Sequence, residues 1–209
     1  MRASKYVPLA AFRTDSAAAL ILRFLLIFAT SLLISCHEKE APLPQYGQVR
    51  NFSLTTEDGT LLDTAALDRT ILVVNFFFAT CPKVCPAVQG RLAQVVHKYR
   101  SVPQVQFLSI SIDPERDTPE ILKEYASRFE YPEGKWRFLT GDPSVIKALL
   151  TEDFNFATAE DPSLHSTRIV LIDGARKIRG FYQGDDADGV SELTRAIARL
   201  VESERDTLK

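Results

Sequence analysis

The sequence predicts an α/β fold, a sandwich with a mixed central sheet and flanking helices. Three observations carry this. Strand-like and helix-like stretches alternate from about residue 49 onward. Two stretches, ILVVNFFF at 71–78 and VQFLSIS at 105–111, are nearly continuous apolar runs, the pattern of strands buried on both faces. A hairpin and a long amphipathic helix close the chain. At 209 residues, the polypeptide can build one well-buried core and little more.

The N-terminus stands apart. Residues 1–23 carry Arg2, Lys5, Arg13 and Arg23 against one acid, Asp15. FLLIFATSLLIS then leads to Cys36. A basic region, a short apolar core and small residues before a cut site describe an export signal. The ending Leu33-Ile34-Ser35-Cys36 resembles a bacterial lipobox. That implies cleavage after residue 35 and acylation of Cys36. An uncleaved membrane anchor is the plainer alternative. Both place the remaining chain in the bacterial cell envelope, outside the cytoplasm and tethered to a membrane. From residue 36 on there are 21 basic and 26 acidic residues, a net charge of −5. Lipid rather than charge would therefore hold the protein to the membrane, and nothing suggests a nucleic-acid binder. Residues 36–48 read as the acylated cysteine and a polar, proline-containing flexible tether, and 49–209 as the folded domain.

Within that domain, residues 51–55 alternate and meet a turn signal at Glu57-Asp58-Gly59, the start of a hairpin. The 71–78 strand runs into the cysteines. After Pro86 the pattern turns helical, with Val88, Leu92, Val95, Val96 and Tyr99 on one stripe. The 105–111 strand follows. Thr118-Pro119-Glu120 starts a helix with proline at its first position, and Ile121, Leu122, Tyr125 and Phe129 are expected to continue its apolar face. A short strand is expected at 136–139 and a short helix at 143–150. Residues 167–172 and 177–182 read as hairpin strands around Asp173-Gly174. The last helix is expected over 188–205.

FFFATCPKVCP, residues 76–86, holds two of the three cysteines. A dithiol after a central strand and at the opening of a helix is where a thioredoxin-like fold presents its chemistry. Cys81 and Cys85 are separated by three residues rather than the two of a thioredoxin pair. Pro86 suits the first helical position, which places Cys85 near the N-cap and Cys81 in the loop folded over it. Helix N-termini favour the thiolate, and Lys83 adds positive charge. Four residues of separation is a rise of ~6 Å, near the upper end for a disulfide. A Cys81–Cys85 disulfide can form but is not forced, and the pair can instead chelate a soft metal ion such as Cu(I) or zinc. A purely structural bridge over so short a loop would stabilise little.

Two sulfurs call for a third donor, and there are three histidines. His37 lies in the tether. His97 is about 24 Å from Cys81 along a continuous helix and reads as an exposed helix residue. His165 ends a long irregular stretch, 153–164, before a core strand. It is either the third donor or a polar loop residue capping a strand end; periodicity does not decide. No G-x-S-x-G, HExxH or P-loop pattern supports hydrolysis or nucleotide chemistry. A peroxidatic role for Cys81 has little to support it.

TCPKVCP, SIDPERDTPE (111–120), KWRFLTG (135–141) and HSTRIVLID (165–173) come in the order and spacing of the SCO/SenC family, which the chain resembles over about residues 50–202. These are thioredoxin-like, membrane-tethered copper proteins. The resemblance implies that Cys81, Cys85 and His165 bind one copper ion, Cu(I) or Cu(II). It implies a metallochaperone that assists assembly of the dinuclear copper site of cytochrome c oxidase, by copper delivery or by reduction of the target's cysteines. The partner is then subunit II or another extracytoplasmic copper or thiol protein. Asp113 is expected to shape the loop near the site. Two positions depart from the family pattern: Lys83 and Leu164 stand where an aspartate is common. The alternative is an extracytoplasmic thiol–disulfide oxidoreductase without a stable metal, with Cys81 and Cys85 as its catalytic pair.

Overall fold

The computed structural model describes residues 41–67, 69–156 and 167–207. Eight strands form one sheet: β1 (Gly47–Gln48), β2 (Ser53–Thr56), β3 (Leu61–Asp63), β4 (Ile71–Phe77), β5 (Val105–Ser111), β6 (Trp136–Thr140), β7 (Arg168–Ile172) and β8 (Lys177–Gln183). Their spatial order is β1-β8-β7-β4-β5-β6-β2-β3. β4, β5 and β6 run parallel, and the remaining pairs are antiparallel. The helices are α1 (Val84–Lys98), α2 (Pro119–Ala126), α3 (Pro143–Ala148) and α4 (Ala187–Thr207). The expected mixed sheet with flanking helices is the architecture found.

β4 shows why its sequence reads as it does. All seven of its residues are buried. Alternate side chains of a strand point to opposite faces, so both faces must be apolar. Ile71, Val73 and Phe77 pack with Val88, Leu92 and Val96 of α1 and with Leu193 and Ile197 of α4. Leu72, Val74 and Phe76 pack with Ile146, Leu149 and Phe154 on the other face. Each such side chain stabilises by ~1.5–3 kcal/mol on burial. The polar exception, Asn75, accepts a hydrogen bond from Ser109 Oγ (2.6 Å), which itself accepts from Trp136 Nε1 (2.8 Å).

The helix start expected at Thr118-Pro119 is in place, although Ile121 is exposed on α2 rather than on its buried face, and both α2 and α3 are capped by a side chain. Thr118 Oγ1 accepts from the Ile121 N–H, and Asp142 Oδ1 accepts from the Ser144 N–H at 2.7 Å. Each helix has a proline in its first turn. α3 ends sooner than expected and widens into a π-helical turn, Leu149–Asp153, closed by Phe154 N–H donating to Leu149 O.

Two expectations need correction. The folded unit begins before residue 49. β1 pairs with β8, Tyr46 N–H donates to Ile178 O, and the Arg179 guanidinium donates to the carbonyls of Leu43 and Pro44. The end of the supposed tether therefore covers a sheet edge that would otherwise leave its backbone groups unpaired. Second, α1 starts at Val84 with Lys83 as its N-cap residue, two residues earlier than Pro86. Pro86 still lies in the first turn, where a missing N–H costs nothing. The signal segment, Cys36, His37, Leu164 and His165 lie outside the described residues. Among the described residues, no helix is long and apolar enough to cross a membrane.

Candidate metal and thiol site

The site is built where β4 gives way to α1. Phe78 O accepts from the Cys81 N–H (3.2 Å), which folds the chain back after the strand. Lys83 offers no side-chain cap to α1. The sulfur of Cys81 takes that place, accepting from the Cys85 N–H at 3.3 Å. The helix thus begins at Val84 because a thiol sulfur satisfies one of its free N–H groups.

Both cysteines are free thiols in this structure, Cys81 9% exposed and Cys85 1%. Their protonation is pulled apart. At Cys81, burial opposes ionisation, but the Cys85 thiol and the backbone N–H groups of Cys85, Lys83 and Val84 outweigh it and lower the pKa. At Cys85, burial and then its bond to Cys81 push the thiol up to about 12. The result is one thiolate-prone sulfur, the less buried of the two, backed by one protonated sulfur. Lys83 contributes through its backbone N–H.

His97 is exposed, and its Nε2 meets the Glu130 carbonyl at 2.8 Å, so it is a surface helix residue as expected. Asp113 does shape its loop: its carbonyl accepts from the N–H groups of Arg116 and Asp117, and its own N–H donates to Ser111 Oγ. Among the described residues, no three His, Cys, Asp or Glu side chains gather as metal donors.

The stems of the segment that carries His165 are well held. On one side, Phe156 packs edge-on against Phe76 and Phe181, each at 5.9 Å. On the other, the Gly184 N–H donates to Thr167 O at 2.6 Å. Gly184 is buried, and a Cβ there would meet Val88 Cγ1 at 2.8 Å, Ile169 Cδ1 at 2.9 Å and Thr167 O at 3.0 Å. Val88 lies three residues after Cys85, and Thr167 two after His165. Sequence reading missed Gly184, and also Asp117, whose carboxyl accepts from the Ala79 N–H at 2.9 Å in the turn before Cys81. The only trace of Asp117 was its place in the DPERDTPE stretch.

Comparison with known proteins bears on the family and the fold. The SCO1/SenC family model matches residues 41–202. The SCO2-like protein RC0895 of Rickettsia conorii is 31% identical over 192 residues, covering 80% of this chain and 89% of that one. Arabidopsis thaliana ScoI, solved with copper bound, superposes with a TM-score of 0.57 at 26% identity, over 72% of this chain and 98% of that one. BsSco, a member of the Sco family of cytochrome c oxidase assembly proteins in which a disulfide switch was identified, shares the fold (TM-score 0.65, 24% identity, 75% and 97% covered). The thioredoxin-like sandwich, the cysteine pair at its strand-to-helix junction and the match over nearly all the described residues lead to one conclusion: the chain belongs to the SCO1/SenC family.

Proposed function

We propose that this protein is a membrane-tethered copper-binding protein that assists assembly of the dinuclear copper site of cytochrome c oxidase. It would hold one copper ion as cargo through Cys81, Cys85 and His165. The observation that carries this reading is the Gly184 contact. One small residue touches both α1, just after Cys85, and Thr167, just after His165. Two extended residues span at most about 7 Å, so a side chain two positions before Thr167 would need only a short span to approach Val88, which lies three residues after Cys85. The donor chemistry fits: two thiols and an imidazole are soft enough for Cu(I), and a low coordination number leaves room for exchange with a recipient. Lys83 is exposed beside the pair, where it would partly offset the charge of two thiolates around Cu(I). With Leu164 in place of an acid, no carboxylate at that position would orient the histidine.

Acylation of Cys36 would place the domain in the cell envelope, outside the cytoplasm. The recipient would be oxidase subunit II or another extracytoplasmic copper or thiol protein.

The asymmetry of the two thiols supports a second reading, reduction of a partner's disulfide. The Cys81 thiolate would attack one partner sulfur and form a mixed disulfide. Cys85, losing its proton, would then displace that sulfur. The products are a Cys81–Cys85 disulfide and a partner dithiol, with two electrons transferred.

Copper stoichiometry on the reduced full-length protein, loaded anaerobically with Cu(I) and with Cu(II), tests the first reading. One tightly held copper, weakened in both Cys85→Ser and His165→Ala, is expected. Unchanged affinity in His165→Ala would remove the histidine from the site. No stable copper, with a dithiol that cycles in a redox buffer, would favour the second reading.

A further inference from the structure

Two oxygens near the cysteines are buried without a partner among the described residues, Asp117 Oδ1 and Tyr125 Oη. Asp117 is fully buried and Tyr125 is 1% exposed. A buried polar atom left without a hydrogen bond costs ~1–3 kcal/mol, so stability alone does not account for a carboxyl here. The other carboxyl oxygen is well used. Asp117 Oδ2 accepts from the Ala79 N–H at 2.9 Å and from Ser111 Oγ at 2.5 Å. It joins the turn after β4 to the end of β5, across 38 residues of sequence.

That turn leads into both cysteines. Its Phe78 carbonyl takes the Cys81 N–H, and the Phe78 backbone partly offsets the rise in the Cys85 pKa caused by burial. Tyr125 stacks on Phe77 at 5.0 Å, directly before the turn. Its phenol is pushed up by burial first and then by the charges of Cys85 and Cys81, with Asp117 contributing last. The four groups therefore share one buried neighbourhood.

We propose that Asp117 is a positioning residue of the dithiol, holding the 78–81 turn so that the Cys81 sulfur stays over the N-terminus of α1. It acts through the Ala79 N–H rather than through a bond to either sulfur. The inference concerns the metal-free dithiol and stands apart from whether copper or a disulfide is the natural cargo.

The test uses full-length, reduced, metal-free protein. Two quantities are read: the alkylation rate of Cys81 at one fixed pH, followed by peptide mass spectrometry, and the Cys81–Cys85 midpoint potential in glutathione buffers. Asp117→Ala removes the acceptor. It should slow Cys81 alkylation about fivefold, the factor that corresponds to one hydrogen bond of ~1 kcal/mol, and should shift the potential. Asp117→Asn keeps a carbonyl oxygen for Ala79 and Ser111 and should restore both values to near those of the unmodified protein. Ser111→Ala removes one of the two bonds to the same oxygen and should give a smaller change in the same direction. It decides the matter if Asp117→Ala does not fold. A lower melting temperature with unchanged rate and potential would reduce Asp117 to a structural role and overturn the proposal. Asn behaving like Ala would overturn it too, since charge rather than the held turn would then be responsible.

Discussion

Gly184→Ala is the substitution whose outcome follows most directly from the packing. The added Cβ would sit 2.8 Å from Val88 Cγ1, 2.9 Å from Ile169 Cδ1 and 3.0 Å from Thr167 O. The first two are closer than carbon atoms tolerate, and Val88 is β-branched and turns poorly at χ1, so its Cγ1 cannot swing away. Both are in the fully buried core. The third is a backbone oxygen already bonded to the Gly184 N–H. Overpacking of this kind costs ~1–3 kcal/mol. At ~2–4 °C per kcal/mol for a chain of this size, the melting temperature should fall by about 2–12 °C. If Gly184 and the bonded Thr167 move away from Val88, the arrangement proposed to keep His165 near Cys85 is disturbed. Copper affinity should therefore fall about tenfold, the lower end for disturbing residues that orient a ligand. Chemical denaturation of the metal-free protein and competitive titration with a Cu(I) chelator give the two numbers. An unchanged denaturation midpoint would refute the packing argument. Lower stability with unchanged copper affinity would refute the positional one.

Other outcomes follow from the same structure. In native reduced protein near neutral pH, Cys81 should be alkylated well before Cys85, and peptide mapping reads both. Burial, with the bond to Cys81, raises Cys85 to about 12 in the folded state against 9.0 for a free thiol. The stability it contributes is therefore complete below pH 9 and lost as pH rises through about 12, so denaturation midpoints measured from pH 8 to 12 should fall. Leu92→Ala, at a fully buried position of α1, should cost ~2–5 kcal/mol while leaving copper stoichiometry at its original value. Cys36→Ser should release the protein from the membrane fraction without changing the copper bound by the folded domain; retention on the membrane would point to an uncleaved anchor.

Much of this protein is legible in its sequence because the signals are local. The apolar runs of β4 and β5 mark strands buried on both faces. Thr118-Pro119 and Asp142-Pro143 mark helix starts because their side chains cap N–H groups two or three residues away. The cysteine pair declares itself because the strand, the dithiol and the helix are contiguous. The order of the strands, the docking of β1 on β8 and the true start of α1 depended on the folded chain. A two-residue strand has no periodicity to read, and α1 begins at Val84 because a sulfur, a cap no propensity rule anticipates, accepts the Cys85 N–H. Asp117 and Gly184 were invisible for a deeper reason. One acts on Ala79 from 38 residues away, and the other bridges Val88 and Thr167, so their roles exist only as distances in space. Local chemistry placed the thiols on the chain, while close packing between distant segments decided what surrounds them.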